Sequence, residues 1–265
     1  MPRYALSVEI AGGAFHGTQV QARHRTVVAV LQEALQAIDP AWQSLTPCGR
    51  LDAGVDARCW VAHGDSGRNW QPPALISAVN SQLPPDLAVI RAAPVADDWH
   101  ARYAPHDSTY SYRLLVSPVR PVLDHGHWWL RRLDHPDLLE CCAAWLPGAH
   151  DLRAFAARRG DASDQADGRR HYHQATWTSD SDPRPATRYT FTITGDGFLY
   201  RQVRGLVGAM VAVARGTVAA QTFHHAIDHP SAARIGSIAP AVGLCLDHIR
   251  YHNEPDWQTP SAPRR

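Results

Sequence analysis

Two α+β lobes are what this sequence predicts. Short runs of alternating apolar and polar residues recur along the chain, as half-buried strands require. Longer stretches with apolar residues at helical spacing lie between them. The two halves repeat this mixture in a similar order. The lobe boundary falls near residues 95–108, giving lobes 1–104 and 105–253 and a flexible tail over 254–265.

In the first half, Tyr4 to Ile10 alternates and reads as a strand. Ala11 to Arg25 is rich in glycine and polar groups and reads as a loop. Val27, Val30, Leu31, Ala34, Leu35 and Ile38 share a helical face, with Thr26 as N-cap and Pro40 as the stop. Ala57 to His63 is a strand, Pro72 to Gln82 a helix with proline in its first turn, and Leu87 to Ala93 a strand.

In the second half, strands are expected over Tyr110–Val116, His171–Thr178, Arg188–Thr194 and Gly243–Tyr251. Helices are expected over Pro136–Trp145, Phe198–Arg215 and Ala219–Ile227. Asp161 to Gly168 reads as a polar loop.

Composition narrows the class. Of 265 residues, 45% are apolar and 19% charged, which fits a globular protein and excludes a disordered one. No apolar run reaches the length of a membrane span, and the start of the chain reads as a strand rather than a signal peptide, so a cytoplasmic protein is expected. Five cysteines without metal-like spacing imply reduced thiols. Net charge is only +1, but all 26 basic residues are arginine, which binds phosphate bidentately and stacks on bases. Clusters at Arg131-Arg132, Arg158-Arg159, Arg169-Arg170 and Arg201 to Arg204 suit a phosphate backbone.

The chemistry centres on Gly49-Arg50-Leu51-Asp52-Ala53-Gly54-Val55-Asp56-Ala57. A carboxylate in a glycine-flanked turn, two residues after an arginine, can serve as nucleophile or base. A structural Arg–Asp pair closing a turn is the plainer reading of the same pattern. Four further segments add weight: Leu83 to Val89; Trp99-His100-Ala101-Arg102 leading to Tyr110-Ser111-Tyr112; Gly197 to Gly208; and Ala239-Pro240-Ala241-Val242-Gly243-Leu244.

In this order and spacing the segments resemble the tRNA pseudouridine synthase A family, which isomerises uridines in the anticodon stem-loop of tRNA. The resemblance runs from Tyr4 to about Tyr251. The family signature G-R-T-D-A-G-V-H-A stands here as G-R-L-D-A-G-V-D-A. The resemblance implies the pseudouridine synthase fold: two lobes around a central antiparallel sheet, helices outside, and an active-site cleft between lobes. It implies a homodimer acting on tRNA without metal or organic cofactor. It assigns Asp52 as the catalytic aspartate and Arg50 as its paired arginine. Arg204 is the arginine that reaches that carboxylate, Tyr110 the ring that stacks on the target base, and Leu244 an apolar wall. The uridine would have to be flipped out of its stack. Whether the carboxylate attacks the sugar or removes a proton from it first is left open.

The chain departs from the family pattern at several positions. Leu51 replaces a threonine, Asp56 a histidine and Gly205 an asparagine. Thr18 stands where a tryptophan is usual, and Ser108-Thr109 where arginines are usual. Two rival readings follow: a tRNA-binding chaperone derived from a synthase, or a hydrolase of nucleosides or glycosidic bonds using Asp52. His171-x-His173 and His224-His225 are pairs with no third ligand evident in the sequence, so surface positions and no metal are expected. Asp196 and Asp56 read as solvated turn acids.

Overall fold

A computed structural model describes residues 1–158, 160, 167–231 and 233–260. Arg159 and most of the expected polar loop at 161–168 lie outside these. Among the described residues are ten strands and five α-helices, an α+β architecture. The chain divides into two compact units, Met1–His106 with Leu246–Arg265, and Asp107–Cys245.

In the first unit, β1 (Arg3–Ile10), β3 (Asp56–Asp65) and β4 (Leu87–Val95) are antiparallel neighbours in the order β4-β1-β3. The short β2 (Thr46–Pro47) pairs with β3, and β10 (Leu244–Tyr251) follows β3 on its other side. Helix α2 (Pro72–Asn80) packs on β4, and α1 (Val27–Ile38) packs on α2. The alternation that predicts β1 is only half of its burial pattern. Both faces are covered over Tyr4–Val8, so the strand lies in the core.

In the second unit the order is β5-β9-β8-β7, all antiparallel, from β5 (Pro105–Val116), β9 (Thr187–Gly195), β8 (Arg169–Ser181) and β7 (Gly148–Asp151). β6 (Trp128–Leu130) runs parallel to β5. Helix α4 (Gln202–Ala214) is buried on nearly every side, with α3 (Asp137–Ala143) and α5 (Ala220–Ala226) against it. A helix apolar all round belongs in such a core.

Several expectations need correction. Thr26 occupies the N-cap position of α1, but its hydroxyl caps nothing and is buried without a hydrogen-bond partner. The first-turn N–H groups of Val27 and Val28 donate instead to the carbonyls of Gly17 and Thr18, at 3.2 Å each. The long helix starts at Gln202, not Phe198, because Phe198 and Tyr200 belong to the turn that precedes it. The last strand from Leu246 on belongs to the first unit, although the sequence placed it with the second lobe. The tail is not loose throughout. Gln258 and Ala92 exchange both backbone hydrogen bonds, at 2.9 and 3.1 Å. The five cysteines are free thiols, as expected, and Cys59, Cys142 and Cys245 are buried.

Candidate active site

Asp52 stands in the turn that feeds β3. The turn closes through the Val55 N–H donating to the Asp52 carbonyl at 3.3 Å, and Gly54 adopts φ of 80°. That conformation is cheap only for glycine. The loop over residues 12–18 is laid directly on this turn. Thr18 N–H donates to the Leu51 carbonyl (3.3 Å), and Leu51 N–H donates to the Thr18 hydroxyl (3.0 Å). Gly54 N–H donates to the Phe15 carbonyl (3.3 Å), and Gly12 N–H to Asp56 Oδ1 (2.9 Å).

This approach needs two glycines. A Cβ at Gly12 would lie 2.1 Å from the Val55 carbonyl oxygen, and one at Gly17 (φ 85°) would lie 2.6 Å from that of Leu51. The result is a half-buried carboxylate on a peptide frame clamped from both sides. Arg50 is exposed. Backbone hydrogen bonds close the turn.

The other three predicted site residues lie in the second unit. Tyr110 is on β5, half-exposed, and its ring meets Phe198 edge-on with centroids 5.1 Å apart. Arg204 is half-buried on α4. Its Nε donates to the Ala239 carbonyl at 2.7 Å, and Ala239 N–H donates back to the Arg204 carbonyl at 3.0 Å. Tyr112, fully buried, donates its hydroxyl to the Pro240 carbonyl at 2.7 Å. Burial pushes the Tyr112 hydroxyl pKa up, with the nearby Arg204 charge acting the other way. Leu244, 7% exposed, follows the single turn Ala241–Gly243 at the start of β10. A Cβ at Gly243 would meet the Tyr112 ring at 2.6 Å. Three sequence segments, Tyr112 of β5, the α4 arginine and Ala239 to Gly243, are thus joined in one cluster.

Sequence reasoning overlooked Gln202. It is fully buried at the start of α4, and its Oε1 accepts from Leu199 N–H (3.1 Å) and the Tyr172 hydroxyl (3.2 Å). Its Nε2 donates to the Leu152 carbonyl (3.3 Å). It pins the Gly197–Arg201 turn, in which Arg201 adopts a left-handed φ of 56°. A lone amide at the head of an apolar helix was the signal available in the sequence.

The histidine pairs separate. His224 packs on Trp145 and His225 stacks on His229. His171 and His173, by contrast, do find a third group, because Asp196 stands beside them.

A family model described as tRNA pseudouridine synthase matches residues 142–252. A protein of Cereibacter sphaeroides named tRNA pseudouridine synthase A is 34% identical over 259 residues, covering 96% of this chain and 99% of that one. The chain belongs to the tRNA pseudouridine synthase A family. Proteins of the same name from Paracoccus denitrificans (34% identical, 96% of this chain, 98% of that one) and Maricaulis maris (35%, 95% and 98%) are similarly close.

Against the tRNA pseudouridine synthase A pattern, several departures now have structural accounts. The departures at positions 18 and 51 meet, because Leu51 N–H donates to the Thr18 hydroxyl from across the loop. Asp56 uses a carboxylate oxygen to hold Gly12. Gly205 faces the protein interior rather than a ligand: a Cβ there would lie 1.8 Å from the Phe155 carbonyl oxygen.

Proposed function

We propose that this protein converts uridine to pseudouridine in the anticodon stem-loop of tRNA, working in the cytoplasm as a homodimer, with no metal or organic cofactor taking part in the reaction. The observation that carries the proposal is the Asp52 carboxylate, retained in its clamped turn in a chain alignable over 96% of its length with proteins named tRNA pseudouridine synthase A. No helix among the described residues is long and apolar enough to cross a membrane.

The reaction breaks the C1′–N1 glycosidic bond, turns the uracil, and joins C5 to C1′; C5 loses its proton and N1 gains one, so the product is an isomer of the substrate. A carboxylate on a frame that cannot shift is suited to meet the sugar of an extruded nucleotide, either by attack at carbon or by proton abstraction. In this reading Tyr110 gives the base a stacking face. Leu244 gives it an apolar wall, and Arg204 and Arg50 contribute positive charge for the carboxylate and the RNA.

The test is incubation with unmodified tRNA transcripts and mapping of pseudouridine. Asp52→Asn should lower turnover by at least about 10³-fold while leaving the unfolding transition in place. Undiminished turnover in that variant would sink the assignment.

A further inference from the structure

We propose that His171, His173 and Asp196 form a binding site for a zinc-class transition-metal ion, at the exposed end of β8 and separate from the residues assigned to uridine. Each side chain offers one ligand atom, and the three atoms lie within 4.8 Å of one another.

The backbone brings them together. His171 and His173 are two apart on a strand and so share a face. Tyr172 between them is fully buried, which turns both histidines outward. Pairing of β8 with β9 slips between Tyr172 and Gln174, so His173 sits at a bulge. Such irregularities re-aim side chains. The two Nδ1 atoms are 3.0 Å apart. Nitrogen ligands on a tetrahedral zinc, with Zn–N of about 2.0–2.1 Å, are separated by about 3.4 Å. Small rotations of two exposed rings span the difference. Asp196 directly follows β9, and its N–H donates to the His171 carbonyl at 3.0 Å, which fixes it beside the pair. Its Oδ1 lies 2.7 Å from His173 Nε2, the nitrogen on the other side of the ring from His171, so a shared ion takes one nitrogen of His173 and the three ligand atoms close onto it by side-chain rotation from within 4.8 Å.

The neighbouring Arg170 donates to the carbonyls of Asp167 and Arg169, at 2.8 and 2.7 Å. Two imidazoles with one carboxylate favour zinc, nickel or copper over magnesium or calcium, which take oxygen donors. An ion held here would tie the β8 bulge to Asp196, one residue before the turn that carries Phe198, the ring against Tyr110.

The test uses the full chain without a histidine tag, stripped with EDTA. Zinc chloride is titrated calorimetrically into it and into a His171→Ala/His173→Ala variant. The wild type should take up one more equivalent of zinc than the variant, and zinc should raise the unfolding temperature of the wild type alone. Asp196→Asn should keep the equivalent but bind it roughly 10- to 100-fold more weakly. Equal stoichiometry in wild type and double variant would overturn the proposal. Nickel(II) followed by NMR needs no substitution. The His171 and His173 ring protons should broaden first among the sixteen histidines, and uniform broadening of all sixteen would equally overturn it.

Discussion

The turn around Asp52 and the cluster around Arg204 are both held by hydrogen bonds, but of different kinds. At Asp52 the partners are peptide groups of two loop segments, brought together because Gly12 and Gly17 lack a Cβ. The side chains that help, Thr18 and Asp56, bind peptide N–H groups as well. Around Arg204 the donors are long side chains, Arg204 and Tyr112, reaching from a helix and a strand to carbonyls of the Ala239–Pro240 segment. The first arrangement fixes the position of one functional group. The second is continuous with the core around α4. Damage to the first should therefore appear in turnover as well as in stability, and damage to the second in stability alone.

The largest effect should come from restoring the family's asparagine in the second region. Gly205→Asn forces a side chain against the Phe155 carbonyl, 1.8 Å from the new Cβ. A loss of at least about 3 kcal/mol in urea-induced unfolding is expected. An unchanged midpoint would mean that the α4 packing is looser than described.

Next comes Thr18→Val, in the first region, which leaves the Leu51 N–H without its acceptor. The stability cost should be about 1–3 kcal/mol. Turnover on tRNA should fall roughly 10- to 100-fold, because the frame of Asp52 is loosened. Thr18→Ser should recover most of it. If turnover instead followed stability alone, the distinction between the regions would fail.

Tyr112→Phe should have the smallest effect, about 1 kcal/mol from loss of the bond to the Pro240 carbonyl. Turnover measured well below the unfolding temperature should be near wild type. A large fall in turnover would show that the hydroxyl acts beyond its structural bond.

Periodicity explains which parts of the fold were legible. β1, β3, β4, β9 and α1 carry enough residues to show a repeat. β2, β6 and β7, of two, three and four residues, are too short to show one. The start of α4 differs from the expectation because Phe198 packs its ring on Tyr110 and Tyr172 from a turn rather than from a helix face. For the site, Gly54 was readable because a positive φ has a residue preference. The Thr18–Leu51 bond joins positions 33 apart and follows no local rule, so the threonine looked like a lost aromatic and the leucine like a lost hydroxyl. The fold brings the two departures into contact. The same holds for Asp196, whose proximity to two histidines is created by strand pairing.

The pairing of Gln258 with Ala92 has a practical side. β4 is the outermost strand of its sheet, and at that point its open peptide groups are satisfied by the chain's own end, with Arg91 lying over the Trp257 ring. Unguarded strand margins recruit other molecules. Shortening the protein to end before Trp257 should therefore favour self-association on concentration, measurable by light scattering, while leaving the Asp52 turn untouched.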